Sequence, residues 1–103
     1  MNTEFCNNKE DSIYLKVSIV EPILASCIDG ALFSDLSLNL QRAVTEESLK
    51  EYLFHLVNGL FITYNGKKRI YLICDYGIDL LRLIYVQKER NIVDYMGLSI
   101  KVE

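Results

Sequence analysis

The residues able to carry covalent or metal chemistry in this 103-residue chain are few: one histidine, His55, and three cysteines, Cys6, Cys27 and Cys74. Cys74, His55 and Asp75 contain the types needed for a nucleophile, a base and an orienting carboxylate, but nothing in their spacing supports that grouping. His55 lies between Phe54 and Leu56 at helical spacing, where a lone histidine packs or faces solvent. Zinc sites are built from close ligand pairs, and Cys6, Cys27, His55 and Cys74 form none. Gly30, Gly59, Gly66, Gly77 and Gly97 are isolated, so no glycine-rich loop is available to cradle a phosphate. The chain is therefore expected not to be an enzyme and to hold no cofactor or metal. Three dispersed cysteines also do not make a disulfide framework, and they read as free thiols in a reducing compartment.

The residues suited to binding are more numerous. Seven tyrosines and no tryptophan form a high tyrosine load, and tyrosine is enriched at binding hot spots. The segment Asp75-Tyr76-Gly77-Ile78-Asp79 reads as a hairpin tip that presents a ring between two carboxylates. Glu46, Glu47 and Glu51, with Asp29 and Asp35 in preceding loops, form a second acidic surface. Residues 1–51 hold nine acids against four bases, a net of -5, and residues 52–103 hold five acids against seven bases, a net of +2. The whole chain carries -3. Such a surface repels phosphate backbones and steers basic proteins toward it, so direct nucleic-acid binding is not expected. The one basic run, Lys67-Lys68-Arg69, reads as a solvated hairpin edge.

These residues need elements to hold them. Ile13, Leu15, Val17 and Ile19 alternate with polar neighbours and predict a strand over Ser12–Val20, broken at Glu21-Pro22. A second extended run, Ile23–Ile28, ends at the turn Asp29-Gly30, and Leu36, Leu38 and Leu40 alternate as a third strand. Over residues 45–58 the period changes: Leu49, Tyr52, Leu53, Leu56 and Val57 share one helical face, Thr45 is placed to cap, and Gly59 to terminate in the left-handed region. Strands follow over Leu60–Tyr64 and Lys67–Asp75, joined at Asn65-Gly66 as a two-residue hairpin. Tyr76-Gly77 turns the chain into a central strand, Ile78–Gln87. Glu89–Asn91 turns it again, and Ile92, Met96, Leu98, Ile100 and Val102 line one face of a last strand. The expected class is α+β: a mainly antiparallel sheet or sandwich of about seven strands around one central amphipathic helix, in a single domain over residues 1–103.

At 50 % hydrophobic and 24 % charged residues the composition is that of a globular domain. The polar start and the shortness of every apolar run predict no leader, no membrane span and a cytoplasmic location. A small acidic chain with one helix, TEESLKEYLFHLVNG, set among strands resembles bacterial immunity proteins, in particular those of contact-dependent growth inhibition systems. Those proteins neutralise the toxin domains of neighbouring cells. The resemblance implies a basic toxin domain as partner, a nuclease where the toxin is of RNase type, and it assigns no binding residue to a position of this chain. The expected mechanism is occlusion, with carboxylates standing in for phosphates in the partner's cleft and tyrosines as anchors over an interface of about 1,600 Å². Two other readings compete. One is an assembly subunit or other inhibitor that pairs through the edge strands Ser12–Val20 or Ile92–Glu103. The other is a small-ligand or enzymatic domain using His55 and Cys74.

Overall fold

The computed structural model describes residues 15–86, 92–95 and 98–101. Its elements in chain order are β1 (Leu15–Lys16), α1 (Val17–Cys27), β2 (Ala31–Leu32), α2 (Phe33–Leu40), α3 (Glu46–Asn58), β3 (Ile62–Asn65), β4 (Ile70–Ile73), α4 (Asp75–Val86), β5 (Ile92–Tyr95) and β6 (Leu98–Lys101). The chain is α+β, but not as a seven-stranded sheet or sandwich around one helix. Among the described residues there are four helices and two small sheets, with strand orders β1-β6-β5 and β2-β4-β3. β1 runs parallel to β6, and the other pairings are antiparallel.

The central element is α1, which packs against α2, α4, β1 and β4. Its sequence carries two periods at once. Val17 and Ile19 continue the alternation that begins at Ile13, yet Val17, Val20, Leu24 and Cys27 recur at helical spacing, and these residues are buried together with Ile19 and Ile23. Pro22 lies inside this helix, where it supplies no amide to the helical ladder, at a cost of about 3 kcal/mol. Six buried apolar side chains, each worth roughly 1.5–3 kcal/mol, outweigh that cost. The expected strands over Ser12–Val20 and Ile23–Ile28 are thus replaced by β1 and a single helix, with residues 12–14 lying outside the described residues. The turn at Asp29-Gly30 is present, with Gly30 at φ +93, but it closes a helix instead of a strand.

The other two strand assignments fail for a related reason. Leu36, Leu38 and Leu40 alternate in sequence, but Leu36 and Leu40 are one helical turn apart and buried, while Leu38 is 63 % exposed. From Ile78 onward, apolar residues that look two-sided in a strand resolve into one helical stripe, Gly77, Leu80, Leu81 and Ile84, in α4. Gln87 and the turn at Glu89–Asn91 lie outside the described residues. The final run is two strands, β5 and β6, paired Tyr95↔Leu98 through Ile92↔Lys101.

α3 matches the expected helix. The Thr45 side chain accepts a hydrogen bond from the Ser48 N–H at 3.1 Å, and Leu49, Leu53 and Leu56 are buried. The hairpin after it is shifted: Asn65 is still in the ladder opposite Ile70, so the loop spans residues 66–69, and the left-handed residue is Arg69 at φ +59 instead of glycine. The fully buried core is built from Val20, Ile23, Leu24, Leu36, Leu49, Leu56, Phe61, Ile62, Leu80 and Ile84. Among the described residues no helix is long and apolar enough to cross a membrane.

Candidate protein-binding surface

The end of α3 sets up the candidate surface. Leu60 N–H donates to the Val57 carbonyl and Phe61 N–H donates to the Leu56 carbonyl, at 3.0 and 2.9 Å. That pair of bonds is a Schellman closure, in which the residue one past the cap takes the left-handed conformation. Here that residue is Leu60, at φ +65, whereas Gly59 has φ -82. Glycine therefore sits one position too early to take up the strain. Phe61 is buried against the core beyond the closure, and Leu60 is left 61 % exposed.

The Phe61 carbonyl then fixes the start of α4. It accepts a hydrogen bond from the Cys74 N–H at 2.9 Å, and the Cys74 carbonyl accepts from the Ile78 N–H at 3.0 Å in the first turn of that helix. Tyr76 and Gly77 therefore lie in the first turn of α4, and the segment Asp75–Asp79 is not a hairpin tip. Gly77 is buried against Phe61, where a Cβ would overlap the Phe61 carbonyl oxygen. The result is an open cleft of about 430 Å³ lined by Leu60, Cys74, Asp75 and Tyr76. Tyr76 is 39 % exposed, as is nearly the same fraction of Ile78, and Asp75 and Asp79 are exposed one helical turn apart. Asp79 lies 4.0 Å from Arg82, an exposed pair of little energetic weight. Asp75 also sits favourably at the positive end of the α4 dipole.

The remaining acids do not join this cleft. Glu46 and Glu47 occupy the first turn of α3. Glu47 precedes Asn58 by eleven residues, which places it roughly 17 Å along the axis from the end that carries Leu60. Glu51 lies between the two ends, Asp29 follows α1, and Asp35 is in the first turn of α2. All five are exposed, so the expected acidic residues form dispersed patches and only Asp75, Tyr76 and Asp79 share one helix end. Leu60, which completes that end, carries no signal in the sequence, because a leucine after glycine gives no hint of a left-handed backbone.

The chemistry at Cys74 does not favour catalysis. Its thiol is pushed up from the usual range by burial and by the neighbouring Asp75 carboxylate, which keeps it protonated and a weak nucleophile. Burial alone pushes Cys27 up to about 11. His55 packs edge-to-face against Phe54 with ring centroids 5.6 Å apart and does not line the Cys74 cleft. Among the described residues no three His, Cys, Asp or Glu side chains gather to hold a metal ion, and Cys6 lies outside them. Set against family models, curated proteins and solved structures, the chain matches none of them.

Proposed function

We propose that the chain is a small inhibitory binding protein of the immunity type, which docks on a basic toxin domain of nuclease type and covers its active site. The observation that carries this reading is Leu60, held at φ +65 and exposed beside Tyr76 and Asp75. A non-glycine residue in that conformation costs roughly 1–2 kcal/mol, and such outliers concentrate at sites that bind. Leu60 and Tyr76 supply an apolar and an amphipathic anchor. Asp75 and Asp79 flank them and pair with cations that a nuclease uses to hold phosphates. The net charge of -3 adds long-range attraction to a basic partner.

The test is affinity capture with the tagged chain from lysate of its source cells, washed at low and then high salt. Recovery of one stoichiometric basic protein, whose nuclease activity falls to background when one equivalent of the chain is added, supports the reading. Recovery of the chain alone, or of a partner whose activity is unchanged by the chain, overturns it.

A further inference from the structure

A second groove lies between α3 and the β3–β4 hairpin. It encloses about 320 Å³ and is lined by Lys50, Leu53, Phe54, Val57, Tyr64 and Tyr71. Phe54 is 61 % and Tyr64 46 % exposed, so two large rings stand in water at its rim. Tyr64 and Tyr71 are direct partners across the ladder, with ring centroids 4.7 Å apart. The hairpin loop starts against this pair, since a Cβ at Gly66 would lie 4.0 Å from the Tyr64 ring. Lys67, Lys68 and Arg69 follow, all exposed and none in an ion pair with a described residue. The Asn65 side-chain oxygen accepts from the Lys67 and Lys68 N–H groups at 3.0 and 3.1 Å and holds the loop in place.

Among the described residues the backbone beside the groove has no strand paired to it. β3 is the outer strand of the order β2-β4-β3. The bond from the Cys74 N–H to the Phe61 carbonyl extends the β3–β4 ladder in register. Antiparallel bonding alternates, so Thr63–Leu72 is the next bonded pair and Tyr64–Tyr71 is not one. Tyr71 accordingly turns its backbone groups to β2, where Ala31 is its partner. Tyr64 turns its own N–H and C=O outward, and no described residue takes them up.

An outward amide and carbonyl, an apolar floor and a cationic rim together specify the occupant. A peptide backbone matches the edge, which a nucleic acid does not, and Leu53 and Val57 suit aliphatic side chains. Carboxylates suit the rim. We propose that β3 and this groove bind an extended acidic segment of another protein by strand addition, its apolar side chains entering the groove and its carboxylates meeting Lys67, Lys68 and Arg69. The same cations repel a second copy of this edge, which disfavours self-pairing. The surface is separate from the α4 cleft and carries its cations on the hairpin loop, so it stands or falls independently of the function proposed above.

The probe is a labelled peptide of alternating Val and Thr with Glu-Glu at both ends, beside a counterpart with Lys-Lys at both ends. The Glu-flanked peptide is expected to bind, to slow hydrogen exchange of the Tyr64 amide by about tenfold or more at saturation, and to weaken by about fivefold or more with Lys67→Glu/Lys68→Glu. Tyr64→Pro, which removes the outward donor, is expected to weaken it further than Tyr64→Ala, while Asp75→Lys/Asp79→Lys leaves it bound. The exchange measurement uses the unchanged chain and so stands even if Tyr64→Pro fails to fold. Absence of binding, binding without protection of the Tyr64 amide, equal binding of the Lys-flanked peptide, or displacement by an oligothymidylate would each overturn the proposal.

Discussion

Gly77 lies so close to Phe61 that any side chain at position 77 would enter the space of the Phe61 carbonyl oxygen, and that oxygen is already engaged by the Cys74 N–H. The contact locks the start of α4 to the strand that follows α3. Gly77→Ala would gain up to about 1 kcal/mol in helix propensity. The overlap is with backbone and with Ile73, neither of which can swing aside, so overpacking of roughly 3 kcal/mol prevails. Urea denaturation should show a net loss of about 2 kcal/mol, and a stabilised variant would refute the close approach.

The left-handed residues offer the reverse experiment. Leu60 and Arg69 hold φ +65 and +59 and are both exposed. Leu60→Gly and Arg69→Gly should each stabilise the chain by about 0.5–1 kcal/mol, less whatever flexibility glycine adds to the unfolded state. Their effects should add, since they lie at separate turns. Only Leu60→Gly should weaken the proposed basic partner, because only Leu60 lines the α4 cleft. Thermal melts and partner titrations on the two variants separate strain from binding.

How much of this was legible in the sequence differs from element to element. α3 was, because Leu49, Leu53 and Leu56 recur at one spacing only and Thr45 marks its start. α2 was not, because Leu36 and Leu40 fit either period while Leu38 fits only the strand, and in the helix Leu38 turns away from the core. α1 and α4 are apolar enough to satisfy both templates, and Pro22 and Gly77, ordinary signals of a break, are carried inside helices by packing that sequence does not display. The acids of the candidate surface were identifiable by charge. The dispersal of Asp29, Asp35, Glu46, Glu47 and Glu51 was not, since it depends on α1 and α2 being helices instead of strands.

Cys27 makes alkaline stability testable. Its thiol is fully buried and titrates at about 11, against 9.0 for an unperturbed cysteine. The unfolded chain therefore loses this proton first as pH rises, and the folded state binds more protons between the two values. Stability from this group is complete below pH 9 and falls as pH climbs from about 9 to about 11, by at most roughly 3 kcal/mol. Tyr71, also pushed up by burial, acts in the same direction at higher pH. Cys27→Ala should be less stable at neutral pH but show a shallower alkaline decline. Equal slopes for the two proteins in urea melts at pH 8, 9 and 10 would contradict the assignment.

The acids of the proposed toxin-binding surface should not be equivalent. Asp75 lines the cleft and Asp79 follows one turn along α4, while Glu47 lies roughly 17 Å away along α3 from the end that carries Leu60. Beyond about 10 Å, salt at 0.1 M screens most of an exposed charge. Asp79→Lys and Asp75→Lys should therefore slow association with a basic partner and flatten its salt dependence at every ionic strength. Glu47→Lys should do so mainly at low salt, through net charge, and converge on the unmodified chain as salt rises. Stopped-flow association rates between 0.02 and 0.3 M salt would separate these behaviours. If Glu47→Lys persists at high salt and Asp79→Lys does not, the partner sits on the amino-terminal face of α3 and the α4 cleft is not its anchor.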